Sequence, residues 1–240
     1  MSSISFVSLN IETNRHLDAV TNLLRTQSPD VVCLQEVIES DVSLLKDTCG
    51  YQSVYAPMSH SELAKGEIMG MAILSRGELQ NVSYEYYVGT REEIAAENIG
   101  YDHNHCFLHG VYMKDDVLFH IGTTHFIKSP EGHPDERQLK IFKDLLPILE
   151  KQDDIVFAGD FNAPRGTEIF DTIAKKFSDN IPQEYKTSID ANLHRAGYLP
   201  YMVDGLFTTP QYTARAVRLV DGVSDHLAIV AQIEKVDSNN

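Results

Sequence analysis

Apolar runs separated by amphipathic stretches predict a chain built from both strands and helices. Residues 3–9 fit a strand that ends at Asn10, and an apolar stripe over residues 17–24 fits a helix. The continuous apolar run 31–34 is typical of a strand covered on both faces, and it ends in Gln35-Glu36. Further strands are predicted at 51–56, 69–74, 79–88, 105–113, 117–126, 202–208, 213–220 and 227–234, and further helices at 39–47, 134–149 (with Pro134 in the first turn) and 167–176.

The stretch 155–164 combines a strand with two polar residues. Its apolar run stops at Gly159, and Asp160 and Asn162 follow at alternate positions. Alternate side chains of a strand point to the same face, so these two are predicted to project together from its carboxyl end. The carboxyl ends of strands are where α/β proteins place their chemistry. For this motif taken alone, an Asx turn that closes a buried strand explains the pattern equally well.

Length and cysteine content favour a cytoplasmic protein. A chain of 240 residues fits one domain over residues 1–240 and needs no disulfide or structural metal to fold. Its three cysteines include no Cys-x-x-Cys pair, which favours buried thiols in a reducing compartment. There is no basic signal segment and no apolar run near the roughly 18 residues of a membrane helix. We therefore expect a soluble monomer with no membrane span.

The charge is strongly acidic, with 35 acidic against 20 basic residues and a net charge of −15. Such a surface repels polyanions at long range, which argues against avid, non-specific DNA binding. It does not exclude a local cleft, cationic or filled by a metal, that acts on one phosphate. The substrate classes that stay open are therefore a nucleic acid, a nucleotide, or a small or lipid phosphate.

Polar residues are predicted at six strand ends, where they form one inventory of acids, amides and histidines. The residues are Asn10, Glu36, His125, Asp160 with Asn162, Asp204, and Asp225 with His226. A carboxylate directly after a buried strand is costly unless a charged group pairs with it. A shared polar site explains six such ends better than six separate caps. Hard oxygen ligands of this kind suit Mg²⁺ or Mn²⁺.

This inventory fits hydrolysis of a phosphoester. A metal would neutralise charge on a phosphate oxygen, and a carboxylate would orient or deprotonate the attacking water. Amides and histidines would hydrogen-bond the phosphoryl oxygens in the transition state. Asp204 near His226 would fix the tautomer of that histidine and raise its basicity. We therefore predict a metal-dependent hydrolase that attacks in line with water and forms no covalent intermediate.

Seven short motifs carry a resemblance to a known superfamily. They are Asn10 in Ser-Leu-Asn-Ile, Leu-Gln-Glu-Val at 34–37, Gly-Met-Ala-Ile-Leu-Ser-Arg at 70–76, Thr-His at 124–125, Gly-Asp-Phe-Asn at 159–162, Val-Asp-Gly-Leu-Phe at 203–207 and Ser-Asp-His at 224–226. In order and spacing, over nearly the whole chain, the set resembles the endonuclease/exonuclease/phosphatase superfamily, which has the DNase I-like fold. The resemblance implies an α/β (α+β) four-layer sandwich of two mixed β-sheets flanked by helices.

The resemblance also implies a role for each matching residue. Glu36 should bind the essential Mg²⁺, for which Mn²⁺ should substitute, with Asn10 and Asp225 as further ligands. Asn10 should also contact the substrate phosphate. Asp160 should orient or activate the water, and Asn162 should hold the water and the phosphate.

Three further residues complete the implied catalytic set. His226, paired with Asp204, should contact the scissile phosphate. His125 matches the additional histidine of the DNase I, sphingomyelinase and inositol-phosphatase branches, where it binds phosphate or assists the leaving group. The abasic-site nucleases lack that histidine, so the resemblance argues against that branch.

Two positions depart from the superfamily pattern. Met202 stands where many members carry arginine, and residues 103–106 stand where another arginine is common. Tyr101 or His105 could compensate, although a solvent-facing loop position explains both residues as well. The acidic segment 89–104 is interpreted as an insertion or lid.

Three functions are therefore weighed. The leading one is a Mg²⁺-dependent phosphohydrolase that prefers a phosphodiester. The alternatives are a phosphatase of a small or lipid phosphate and a phosphate-binding module that has lost catalysis. The last predicts missing acids or histidines, and the central set is complete.

Overall fold

The computed structural model describes residues 2–94, 104–129 and 132–236. Twelve strands and four helices follow one another along these residues. The strands are β1 (Ser3–Asn10), β2 (Val31–Ile38), β3 (Gln52–Ser61), β4 (Glu67–Ser75), β5 (Gln80–Val88), β6 (His105–Lys114), β7 (Val117–His125), β8 (Val156–Asp160), β9 (Ser178–Asp179), β10 (Asp204–Thr208), β11 (Tyr212–Val220) and β12 (Ala228–Lys235). The helices are α1 (Leu17–Gln27), α2 (Glu39–Cys49), α3 (Glu136–Glu150) and α4 (Glu168–Lys176).

The described strands pair into two mixed six-stranded sheets. The first has the order β11-β12-β1-β2-β4-β3, and the second has the order β5-β6-β7-β8-β10-β9. One pair in each sheet is parallel, β1 with β2 and β7 with β8, and the other pairs are antiparallel. Each parallel pair brings two carboxyl strand ends to the same edge of its sheet.

The two sheets pack face to face, and helices cover their outer faces. Phe6 of β1 and Ile121 of β7 belong to the apolar cluster between the sheets. Leu24 of α1 lies in the cluster that covers the outer face of the first sheet. Phe157 of β8 and Phe170 of α4 lie in the cluster that covers the outer face of the second sheet. The predicted four-layer sandwich is therefore confirmed.

Helix α3 begins later than its sequence pattern indicates. The prediction that Pro134 lies in its first turn is wrong, because Asp135 is the N-cap residue. The carboxylate of Asp135 accepts a hydrogen bond from the backbone N–H of Gln138 at 2.7 Å, which a proline side chain could not do. The helix continues past Pro147 to Glu150, so this proline does not end it.

Glycine is required at position 159 because β7 and β8 approach closely there. A Cβ on Gly159 would lie 2.0 Å from the backbone oxygen of Thr124, a distance that no side chain can adopt. The neighbouring positions, His125 and Asp160, are therefore set side by side by a contact between two backbones. The glycine that marks the end of the apolar run thus fixes the spacing of two candidate site residues.

The cysteines are free thiols: Cys33 and Cys106 are buried, and Cys49 is partly exposed. This agrees with the expectation of thiols instead of a disulfide framework, although Cys49 is not fully buried. Within the described ranges, no helix is both long enough and apolar enough to cross a membrane.

Candidate active site

Three neighbouring strands of the second sheet align a histidine and two aspartates in one row. His125 at the end of β7 pairs with Asp160 at the end of β8, and Asp160 pairs with Asp204. The prediction that Asp204 ends an apolar strand is wrong, because Asp204 is the first residue of β10. Since β10 runs antiparallel to β8, its beginning lies at the edge where β8 ends. All three side chains are buried, with exposed fractions of 6%, 1% and 3%.

Asn162 joins this row from a turn and not from the strand. It follows β8 with a left-handed backbone (φ 47°), which asparagine tolerates better than most residues. Its backbone N–H donates to Oδ1 of Asp160 at 2.8 Å, so the Asx turn is present. Its Nδ2 lies 3.2 Å from Nε2 of His125. The turn and the shared polar site therefore occur together, although alternation along a strand is not what aligns the two residues.

A β-bulge in the first sheet turns Glu36 toward the second sheet. The register of β2 with β4 shifts between Leu34 and Val37, and Glu36 has a left-handed backbone (φ 55°). The prediction that the strand ends at Gln35-Glu36 is wrong, since β2 continues through the bulge to Ile38. The extra residue lets Gln35 and Glu36 both reach β7: Gln35 Nε2 donates to Thr123 Oγ1 at 2.9 Å, and Glu36 Oε1 lies 3.6 Å from His125 Nε2.

Asn10 at the end of β1 connects the two sheets. Its Nδ2 donates to Glu36 Oε1 at 3.2 Å and to Asp160 Oδ2 at 3.1 Å. Its Oδ1 accepts from the backbone N–H of Glu12 at 3.1 Å. In this orientation the amide holds two acids side by side. As a metal ligand, Asn10 would have to share its oxygen with the Glu12 N–H.

His226 faces the row from the segment that precedes β12. The prediction that Asp225 and His226 end a strand is wrong, because β12 begins at Ala228 and leads away from the site. Nδ1 of His226 lies 2.7 Å from Oδ2 of Asp204, so the expected pair is present. Nε2 of His226 lies 3.8 Å from Oδ2 of Asp160.

The buried acids of the row strongly change the protonation of His226. Burial would lower its pKa, but Asp204 and Asp160 outweigh burial and raise the pKa to about 10. His226 is therefore protonated at neutral pH. Burial, together with the Asp204 carboxylate, raises the pKa of Asp160, an effect that His226 and His125 partly offset. A basic carboxylate beside a protonated imidazole is suited to proton transfer.

A second group of acids lies on the other side of the site. Burial raises the pKa of Asp225 to about 6, and the neighbouring carboxylates of Glu36 and Glu12 add to this. Burial would also raise the pKa of Glu36, but His125 and Lys128 lower it overall. Crowded oxygen ligands whose charges are incompletely balanced match the preferences of Mg²⁺ and Mn²⁺. The donor set around Glu36 and Asp225 therefore fits a hard divalent cation.

A second set of three side chains lies close enough together to hold a cation. Potential ligand atoms of Asp160, Asp204 and His226 lie within 4.8 Å of one another. The short contact between Asp204 and His226 uses one ligand atom of each, however, and a protonated imidazole has no lone pair to offer. Within the described residues, the pair Glu36 and Asp225 is therefore the better candidate metal site.

Five of these groups line one cavity of about 430 Å³. Its lining includes Glu36 and Asp225 on the acidic side, and Asp160, Asn162 and His226 from the row. A cavity of this size accommodates a small ligand or one part of a larger one.

The sequence comparison decides the family. The model of the Endonuclease/Exonuclease/phosphatase family matches residues 7–226, nearly the whole chain. The chain belongs to the endonuclease/exonuclease/phosphatase family. Members of this family are generally phosphoester hydrolases. Among curated proteins, no sequence matches this chain.

Solved structures of this family share the fold. An endonuclease/exonuclease/phosphatase from Bacteroides vulgatus superimposes with a TM-score of 0.75 at 16% identity, covering 98% of this chain and 100% of that one. D. rerio TDP2, complexed with a single-strand DNA product, gives 0.70 at 17% identity, covering 98% and 100%. The human Nocturnin catalytic domain, with a bound sulfate anion, gives 0.70 at 19% identity, covering 98% and 94%. At these identities the likeness is one of fold.

Sequence reasoning missed a polar clamp behind the family motifs. Gln138 of α3 is fully buried, and its Nε2 donates to the backbone oxygens of Ile127 at 2.6 Å and Asn162 at 2.9 Å. It therefore ties the segment after His125 to the segment after Asp160. The available signal was a glutamine on a helix face that is otherwise apolar.

Two residues that bear on the departures from the superfamily pattern, His105 and Met202, are buried. The expectation of a solvent-facing loop position is wrong for His105, because β6 begins there and the ring is buried. Its Nδ1 donates to the backbone oxygen of His125 at 2.6 Å, and its ring stacks on Tyr87. Met202 packs in the core between the sheets. Tyr101, His103 and most of the proposed lid, residues 95–103, lie outside the described residues.

The sequence analysis also missed three basic residues that line the cavity: Lys128, His194 and Arg195. Lys128 follows His125 by three positions, and His194-Arg195 lies in an irregular segment without a periodic pattern. The only signal was the presence of basic residues in a strongly acidic chain.

Proposed function

We propose that this chain is a divalent-metal-dependent phosphodiester hydrolase that uses an activated water in line with the leaving group. The observation that carries the proposal is the convergence of both sheets on one cavity. Asp160, which pairs with His125 and Asp204 in the second sheet, lines this cavity. His226, held by Asp204, and the acidic pair Glu36 and Asp225 line it as well. Similarity to TDP2 with a single-strand DNA product and to Nocturnin with a sulfate supports a site for phosphate-like anions in this fold.

Glu36 and Asp225 would hold the Mg²⁺ ion, and Asn10 is the third predicted ligand. When bound, the cation supplies Lewis-acid stabilisation of charge on the phosphoryl and leaving-group oxygens. Mn²⁺ has similar ligand preferences and is expected to substitute.

Asp160 is proposed as the group that orients the water and accepts its proton. Its raised pKa makes it a stronger base than an exposed aspartate. The amide of Asn10, 3.1 Å from Oδ2 of Asp160, fixes the carboxylate, and the Asx turn places Asn162 beside it. Asn162 is suited to hold the same water or a phosphoryl oxygen by hydrogen bonding.

His226 is proposed to stabilise the charge that develops on the phosphate. Because it is protonated at neutral pH, it can donate a charge-assisted hydrogen bond from Nε2 while Nδ1 is held by Asp204. Nε2 of His125 lies 3.6 Å from a carboxylate oxygen of Glu36 and 3.6 Å from one of Asp160, and His125 is proposed to contact the phosphate or the leaving oxygen.

The test is hydrolysis of an aryl phosphodiester and its monoester by metal-stripped protein, before and after Mg²⁺ or Mn²⁺ is restored. We expect metal-dependent turnover with preference for the diester. Asp160→Asn should reduce kcat by about 10²-fold or more, the range typical of a lost general base. Asp153→Asn is the matched control, because Asp153 is an exposed aspartate just before β8.

Turnover that survives Asp160→Asn would refute the role of this carboxylate. A preference for the monoester would favour the phosphatase alternative. Metal-dependent phosphate binding without turnover of either ester or of an oligonucleotide would point to a binding module.

A further inference from the structure

The cavity that holds the catalytic groups is also lined by basic side chains. Lys128, His194 and Arg195 are part of its lining, and we call these three residues the basic rim. The protein carries a net charge of −15, so three basic residues at one cavity are locally unusual. These cations partly balance the acids of the same cavity, and they also favour binding of an anion there.

The members of the basic rim act on one another. Burial lowers the pKa of His194, and the positive charges of His226, Arg195 and Lys128 lower it further. The backbone N–H of Ala196 donates to Nδ1 of His194 at 3.1 Å. This bond places the proton of the neutral ring on Nε2, which leaves Nε2–H as a donor.

A buried hydroxyl group lies in the lining of the same cavity. Ser129 lines the cavity and is 6% exposed, and its Oγ has no hydrogen-bond partner among the described residues. A buried hydroxyl without a partner is costly, and an anion in the cavity would satisfy it.

The lining of the cavity also contains apolar and aromatic side chains. Leu199 and Tyr201 line it, as does Leu63 from the turn between β3 and β4, which is 58% exposed. The cavity of about 430 Å³ has room for a small body with a phosphoryl group at each end.

We propose that the basic rim and Ser129 form a second anion subsite, so that the substrate is a small phosphoester with a second phosphoryl group. An apolar or aromatic body would lie between the two groups against Leu199 and Tyr201. This inference rests on the proposed function for the position of the reacting phosphate. The second phosphoryl group does not react; it orients the substrate.

Equilibrium binding tests this inference without requiring turnover. The protein is Asp160→Asn with Mg²⁺, and calorimetry compares a nucleoside bisphosphate with its monophosphate and an alkanediol bisphosphate with the alkyl monophosphate. Each bisphosphate should bind about 10-fold or more tightly than its partner, as expected for added charge-assisted hydrogen bonds. The ligand pair with the larger ratio of bisphosphate to monophosphate affinity shows whether the part of the substrate between the two phosphoryl groups is a nucleoside or an aliphatic chain.

Variants locate the preference. Arg195→Met and Lys128→Met should each reduce the ratio of bisphosphate to monophosphate affinity by several-fold, and the double variant should bring the ratio near one. Lys143→Met, an exposed lysine on α3 outside the cavity lining, should leave the ratio unchanged. Equal thermal midpoints would show that all variants are folded.

Equal affinity for mono- and bisphosphates would overturn the inference, as would a preference that survives the double variant. Affinity for single-stranded oligonucleotides that keeps rising with length would overturn it in favour of a polymer. If wild-type protein hydrolyses no ester but the bisphosphate preference follows the basic rim, the subsite stands and the proposed catalysis fails.

Discussion

Asp204 is expected to act chiefly through His226, which makes the variant Asp204→Asn informative. Both side chains are buried, and Oδ2 of Asp204 lies 2.7 Å from Nδ1 of His226. Asparagine keeps the shape and can still accept a hydrogen bond, but it removes the charge. A hydrogen bond to a charged group contributes about 1.5–3 kcal/mol, so turnover should fall about 10- to 100-fold.

The pH profile separates this role from a structural one. The pKa of His226 is raised to about 10, so turnover should persist through neutral pH and fall as the pH rises through that value. Burial opposes this shift and Asp204 is the leading cause of it, so Asp204→Asn should move the alkaline limb toward the ordinary histidine value of 6.5. The assay is aryl phosphodiester turnover with saturating Mg²⁺ from neutral to alkaline pH.

A refuting result is equally clear. If Asp204→Asn lowers turnover but leaves the alkaline limb in place, the aspartate does not set the protonation of His226. The backbone N–H groups of Val203 and Asp204 both donate to Ser188 Oγ at 3.1 Å, so Ser188→Ala displaces the carboxylate without removing its charge. Ser188→Ala should reduce turnover but shift the alkaline limb of the pH profile less than Asp204→Asn does.

Two further predictions concern groups outside the cavity lining. Gln138→Met removes the donors to the backbone oxygens of Ile127 and Asn162 and should cost about 1–3 kcal/mol, lowering Tm and kcat, whereas exposed Lys140→Met on the same helix should change neither. Burial would raise the pKa of Asp30, but hydrogen bonds from Lys114 and Ser5 lower it overall. The charged Asp30 carboxylate therefore stabilises the fold above the ordinary pKa of 3.8, and this stabilisation is lost as the pH falls through the lower pKa of the folded state. Urea unfolding should find Asp30→Asn less stable than wild type by about 1 kcal/mol or more at neutral pH, with convergence in acid; a constant difference would contradict the reasoning.

Elements with strong periodicity were predicted well. The apolar runs of β1, β2 and β8 and the amphipathic pattern of α1 identify these elements to within a few residues. Such a pattern does not encode the direction of a strand relative to its neighbours in the sheet, and so it does not show which end of the strand lies at the site. This is why Asp204 and His226 were assigned to strand ends when they lie at strand beginnings.

Irregular backbone explains the remaining errors. Nothing local to residues 31–38 indicates a bulge at Glu36, since the bulge forms where β2 pairs with β4. The basic rim is equally invisible, because Lys128 and Arg195 lie far apart in the sequence and come to line one cavity only in the folded chain. The candidate acids and histidines nevertheless lie close together in the structure, which agrees with the expectation that buried carboxylates need partners.

The pairing of β1 with β12 has a consequence for how the protein is made. His226 is the last of the candidate site residues along the chain, and β12, which follows it, is the partner of β1 at the other extreme of the sequence. During synthesis, the other candidate site residues emerge before His226. Until β12 has paired with β1, the segment that carries His226 is not anchored to the first sheet, so we expect the candidate site to be complete only after this pairing.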